Sequence, residues 1–166
     1  MGGSRLPLLI PSLTFLMFIG EYRHTIDEKG RLALPTKFRS VLSTGVVVTR
    51  GVDQCLFVYA REAWDRLARK MATLPMTQKN TRAFSRLILA GAMDLPLDAQ
   101  GRVVLPEYLR GYGKITKNVV VAGVYDRLEI WDEKLWNAYT KNAEKHSAEI
   151  AETLGSFGGA SDVDHV

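Results

Sequence analysis

Two arginines, each four residues after an aspartate, are the side chains of this sequence best suited to recognition chemistry: Arg31 in Asp27-Glu-Lys-Gly-Arg and Arg102 in Asp98-Ala-Gln-Gly-Arg. A guanidinium is a planar fork of N–H donors, so it can clamp a phosphate or hold the O6 and N7 edge of guanine with two bonds at once. Lys29 and Gln100 stand at matching positions inside the two turns, and a Gln amide suits the adenine edge. The same spacing permits a second role, in which Asp27 pairs with Arg31 and Asp98 with Arg102 to fix each turn. Spacing alone favours neither, and the two are compatible if the aspartate orients the arginine. Paired acid catalysis by Asp27 and Asp98 is less well supported, because each opens a turn, where Asp is simply a good turn residue.

The elements that must position these residues occur twice. Residues 27–39 align with residues 98–110, sharing Asp, Gly, Arg, Leu, Pro and a final Arg at six of thirteen positions. The match continues after a one-residue change of offset, pairing Gly51 with Gly123, Leu56 with Leu128, Val58 with Ile130 and Trp64 with Trp136. Alternation at Tyr22, His24 and Ile26, and at Met93, Leu95 and Leu97, predicts a half-buried strand before each turn. Gly30 and Gly101 fall where a hairpin loop requires positive φ, so Asp27–Gly30 and Asp98–Gly101 are expected as turns. The strands Arg31–Leu34 and Arg102–Leu105 should return from them, with Leu32 and Leu34 facing the core. Pro35 and Pro106 then suit the first turn of a short helix.

A second hairpin is predicted in each copy, from Val46–Thr49 with Cys55–Tyr59 and from Val119–Ala122 with Arg127–Trp131. Helices follow over Glu62–Met71 and Glu133–Leu154, the latter with Asp132 as its N-cap. Between the copies Gln78–Ala90 is expected as a helix with Phe84, Leu87, Ile88 and Gly91 on one face. The resulting division is a first module over 21–63, a helical connector over 64–91, a second module over 92–135, a C-terminal helix over 136–155 and a disordered tail over 156–166. The apolar run from Leu6 to Ile19 is too short to span a bilayer and is broken by Pro7 and Pro11. Residues 1–16 are expected to be a non-native or disordered extension, with Met17 as the alternative start.

Other candidates carry less. His24 aligns with Leu95 and is expected in the core, and the Trp64/Trp136 pair as helix-to-sheet packing. Cys55 is the only cysteine, which leaves no disulfide framework and no cysteine metal site. Phe57 and Tyr59 beside it form an apolar outer strand face, which predicts a covering segment or neighbouring subunit. No Gly-rich phosphate loop, Gly-x-Ser-x-Gly or His-Glu-x-x-His motif is present. No enzyme activity, metal, cofactor, small-molecule substrate or membrane partner is therefore expected. Net charge is +4, yet the first 131 residues hold 19 basic and 11 acidic residues, and the remainder 3 and 7. A basic body with an acidic tail fits a polyanionic partner, since phosphate neutralisation releases counterions.

The stretches Glu21-Tyr-Arg-His-Thr-Ile-Asp-Glu-Lys-Gly-Arg-Leu-Ala-Leu-Pro, Thr49-Arg-Gly-Val-Asp-Gln-Cys-Leu and Leu128-Glu-Ile-Trp closely resemble the bacterial MraZ family, over Met17 to about Gly155. That resemblance implies a mainly β fold with short helices, α+β in character: two swapped-hairpin modules of the AbrB/MazE type fused into a double-split β-barrel. It also implies ring-shaped homo-oligomers in the cytoplasm, at the nucleoid, that bind double-stranded DNA at short direct repeats upstream of a division and cell-wall gene cluster. The implied DNA contacts fall on Arg31, Lys29 and Arg102, with Gln100 replacing the lysine in the second copy. Asp27, Gly30, Asp98 and Gly101 would build the turns. Two other readings use the same residues differently: an antitoxin whose tail occupies a toxin, and a structural ring or small hydrolase that ignores DNA.

Overall fold

The computed structural model describes residues 17–158. The expected N-terminal extension over 1–16, and the tail beyond residue 158, lie outside the described residues.

Copy one contributes β1 (Phe18–Thr25), β2 (Arg31–Ala33), a 3-10 turn at Thr36–Phe38, β3 (Val46–Arg50), β4 (Leu56–Ala60) and α1 (Arg61–Ala72). The connector is α2 (Lys79–Ile88). Copy two repeats the order as β5 (Met93–Leu95), β6 (Arg102–Val104), α3 (Glu107–Tyr112), β7 (Asn118–Tyr125), β8 (Leu128–Asp132) and α4 (Glu133–Lys145), after which α5 (Ser147–Gly158) follows.

The fold is mainly β with short helices, and the two copies are interleaved. One sheet runs β1-β7-β8-β4-β3-β5 and a second consists of β2 and β6, all pairs antiparallel. The first strand of each copy therefore pairs with the third strand of the other, β1 with β7 and β5 with β3. The strands around the first turn do not continue as a simple hairpin: after one isolated bridge, Ile26 to Leu32, they part to join different sheets. This is the exchange that swapped hairpins imply. The strand ladders do not run around a closed barrel among the described residues: only that isolated bridge and the Asp27–Arg31 and Asp98–Arg102 backbone bonds at the turns link one sheet to the other.

The register shows why the copies fit. Leu32 pairs with Val103, its own repeat equivalent, and Phe57 pairs with Glu129, likewise its equivalent. A local twofold relation thus passes through the centre of each sheet and interchanges the modules. Both copies fill one core. Leu32, Leu34, Phe38, Leu56 and Val58 from the first meet Val103, Leu105, Leu109, Leu128 and Ile130 from the second, all buried. Neither copy has a separate core to fold around.

The outer faces of β4 and β8 are covered, as the apolar face at Phe57 and Tyr59 predicts. Tyr59 packs on Trp64 of α1 at 5.9 Å, Trp131 packs on Trp136 and Tyr139 of α4 at 5.6 and 5.0 Å, and Arg127 lies over Phe57 at 4.4 Å. Asp132 caps α4 by accepting the Lys134 amide at 3.0 Å. The expected single helix over Glu133–Leu154 is instead two. His146 leaves helical geometry at φ −108° and ψ 16°, and its ring Nδ1 sits 2.9 Å from the Asn142 carbonyl. Ser156 belongs to α5 rather than to an irregular tail. Phe84 is exposed, and α2 meets the sheet at its other end, where Thr49 Oγ1 donates to Ile88 O at 2.5 Å.

Candidate nucleic-acid interface

Each Asp-x-x-Gly-Arg segment folds into the same turn because one carboxylate satisfies three N–H groups. Asp27 Oδ1 accepts the amides of Lys29 and Arg31 at 3.0 and 2.9 Å, and Oδ2 accepts Arg31 Nε at 2.6 Å. Asp98 Oδ1 accepts the amides of Gln100 and Arg102, each at 2.9 Å, and Oδ2 accepts Arg102 Nε at 2.7 Å. The Gly30 and Gly101 amides close back on Asp27 O and Asp98 O, both at 2.9 Å. Both glycines hold positive φ, +77° and +72°, where a Cβ is disfavoured. Asp27 and Asp98 are held below the usual carboxylate range, first by the backbone amide of the arginine each accepts.

The two turns then converge through β2 and β6, which form a ribbon three residue pairs long: Arg31–Val104, Leu32–Val103 and Ala33–Arg102. Leu32 and Val103 are fully buried on one face. Alternation puts Arg31, Ala33, Arg102 and Val104 on the other face, where Val104 is 54% exposed and the Arg31 and Arg102 side chains are 33% and 28% exposed. Because the strands are antiparallel, the turns stand at opposite ends of the ribbon and the arginines at its diagonal corners. Lys29 and Gln100 are exposed, one at each end. All four predicted contact residues are therefore brought to one ribbon and its turns.

The aspartate bonds do not use up the arginines. Each carboxylate engages Nε alone, leaving both Nη groups of Arg31 and Arg102 without a protein partner among the described residues. Turn-fixing and a donor fork left for a ligand thus coexist in one geometry.

The modules also lock each other. Leu34 N donates to Gly101 O at 3.0 Å, and Leu105 N to Gly30 O at 2.8 Å. Arg39 Nε donates to Leu34 O at 3.0 Å and Arg110 Nε to Leu105 O at 3.1 Å. A Cβ built on Gly101 would run into the Arg39 side chain, and one on Gly30 would meet Leu105 O at 3.0 Å and the Arg110 guanidinium at 3.3 Å. Arg39 and Arg110 were visible in the sequence as the identical pair that closes the 27–39 and 98–110 blocks, but a contact onto the opposite copy's turn depends on the exchange of strands. His24 is half-buried, its pKa lowered by burial and then by the charge of Arg39. The Cys55 thiol is buried and pushed up to about 12 by desolvation, which leaves no reactive thiolate.

Among the described residues no group of three or more His, Cys, Asp or Glu side chains is placed to hold a metal ion. No helix among them is long and apolar enough to cross a membrane.

Comparison with known proteins agrees with the doubled architecture. A family model described as "MraZ protein, putative antitoxin-like" matches twice, over residues 17–87 and 88–157. A protein of Caldanaerobacter subterraneus subsp. tengcongensis named transcriptional regulator MraZ is 46% identical over 141 residues, covering 85% of this chain and 99% of that one. Proteins of the same name from Thermoanaerobacter sp. strain X514 and Thermoanaerobacter pseudethanolicus are each 47% identical over 138 residues, covering 83% of this chain and 96% of theirs. These relatives are named for regulation and not for an enzymatic reaction. With both modules matched and relatives of this identity aligned along nearly their whole lengths, the chain belongs to the MraZ family of transcriptional regulators.

Proposed function

We propose that this protein is a sequence-specific DNA-binding regulator of transcription, with Arg31 and Arg102 as base- or phosphate-gripping residues and Lys29 and Gln100 as flanking contacts. The observation that carries the reading is the β2–β6 ribbon, which holds two aspartate-oriented, partly exposed guanidiniums on one face. A two-stranded ribbon fits the major groove, where base edges are distinguishable. Its near-twofold form is broken at the tips, with Glu28 and Lys29 at one end and Ala99 and Gln100 at the other. A head of that kind has a direction, which supports an asymmetric element repeated in one orientation.

The finer reading follows the MraZ resemblance. The protein acts as a ring-shaped homo-oligomer at the nucleoid and binds short direct repeats upstream of the division and cell-wall gene cluster that includes its own gene. Several chains on one ring would engage successive repeats, and avidity would exceed the affinity of one head. A gel-shift titration with DNA from upstream of its own gene, beside a scrambled duplex of the same length, tests this. The upstream DNA should shift at lower protein concentration, and the shift should weaken steeply with salt. Equal shifts for both duplexes would count against sequence-specific recognition.

A further inference from the structure

Asp27 and Asp98 neutralise the arginines they orient, so these four side chains bring no net charge to the face they build. Uncompensated positive charge lies beside them. Arg39 and Arg110 are half-buried guanidiniums with no carboxylate partner among the described residues, as are Arg50 and Arg82 elsewhere in the fold, whereas Arg23, Arg61, Arg69 and Arg127 each have at least one. Each donates Nε to a single backbone carbonyl at the end of its own ribbon strand, Leu34 O or Leu105 O. Each also lies against the glycine of the other module's turn, Arg39 against Gly101 and Arg110 against Gly30. A cation that has lost part of its hydration and gained one carbonyl is only partly compensated, and an anion would complete it. The site repeats at both ends of the ribbon, which an accident of one loop would not produce.

We propose that Arg39 and Arg110 are the phosphate-binding cations of the interface, each supplied by one module to the turn of the other. Arg110 serves the Asp27–Arg31 turn and Arg39 the Asp98–Arg102 turn, so neither half of the interface is complete within one module. This rests on the DNA-binding reading above and assigns its electrostatic component to residues outside the Asp-x-x-Gly-Arg motif.

The test is fluorescence anisotropy with the full chain, its own upstream duplex and a scrambled duplex, over a series of salt concentrations. Arg39→Gln and Arg110→Gln should each weaken binding to both duplexes by a similar factor. The slope of log affinity against log salt should become shallower by about 0.9 for each phosphate that is no longer neutralised. Arg39→Lys and Arg110→Lys keep the charge but give up the Nε bond to the carbonyl, and they should retain the wild-type slope. Arg31→Ala should instead narrow the difference between the two duplexes. An unchanged slope in the folded Gln variants would overturn the proposal. If a Gln variant melts below the assay temperature, the Met variant, which keeps the apolar stem and drops the charge, takes its place: a shallower slope supports the proposal and an unchanged slope overturns it. Absence of wild-type binding to either duplex would overturn the DNA-binding reading itself, and this inference with it.

Discussion

Arg31 Nε lies 2.6 Å from Asp27 Oδ2 while the Arg31 amide lies 2.9 Å from Asp27 Oδ1, so one carboxylate grips both ends of the same residue. The arginine leaves the turn with its backbone and side chain fixed by a common partner, and with both Nη groups unused among the described residues. Such preorganisation lowers the ordering cost of gripping a ligand. The second module repeats the arrangement to within about 0.1 Å at Asp98 and Arg102.

The turns should show in the acid limb of stability. Asp27 and Asp98 have folded pKa values below the ordinary carboxylate value, first through the arginine amides they accept. A depressed folded value means that the stabilisation is fully present above the unfolded value of about 3.9 and is lost as pH falls through the lower folded value. Urea midpoints measured from neutral to strongly acidic pH should therefore fall less steeply in Asp27→Asn/Asp98→Asn than in wild type. Parallel curves would mean that the two carboxylates gain nothing on folding.

Gly30→Ala and Gly101→Ala should each destabilise the fold by about 1–2 kcal/mol, because a Cβ is disfavoured at positive φ. At Gly101 the added methyl also meets the Arg39 side chain, which can shift only by loosening its bond to Leu34 O. Chemical denaturation measures the loss, and an unchanged midpoint would show that these turns can adopt another form.

A shared core predicts a single transition. Leu32→Ala removes a fully buried side chain at the centre of the ribbon and should cost about 2–5 kcal/mol. Tryptophan fluorescence and far-ultraviolet circular dichroism should move together in that variant, since β2 and β6 depend on the same interior. Separate transitions would mean that the modules have independent stability.

Cys55 should be inert in the folded protein. Burial pushes its thiol up to about 12, so almost no thiolate exists at neutral pH. A thiol-reactive chromophore should label it only as fast as the chain opens, and immediate labelling of folded protein would contradict its burial between the β4 face and its neighbours.

What the sequence made legible was mostly local. An Asp, a Gly and an Arg within five residues specify a turn by their own chemistry, and the repeat showed the same turn twice. Leu32 and Leu34 could be oriented from alternation, and Asp132 from its place before a helix. Strand partners were another matter: β1 pairs with β7 about a hundred residues away, and no periodicity within β1 encodes that choice. Only the family resemblance pointed to an exchange. The roles of Arg39 and Arg110 were hidden for the same reason, since each acts on a turn of the other copy. Phe84 fits the apolar stripe of α2, but amphipathic spacing could not say which end of that helix meets the sheet. The break at His146 is confined to the dihedrals of a single residue, which a helical pattern does not register.

The most direct test of the account is the affinity of wild type and Arg31→Ala for DNA from upstream of the protein's own gene, measured by anisotropy at one fixed salt concentration. A well-made arginine contact to a base edge is worth about 1–3 kcal/mol, so the variant should bind about five- to 150-fold more weakly while its stability stays within about 1 kcal/mol of wild type, the most that loss of the partly exposed Asp27–Arg31 pair should cost. A folded Arg31→Ala protein that binds this DNA as tightly as wild type would contradict the assignment of the ribbon as the recognition surface.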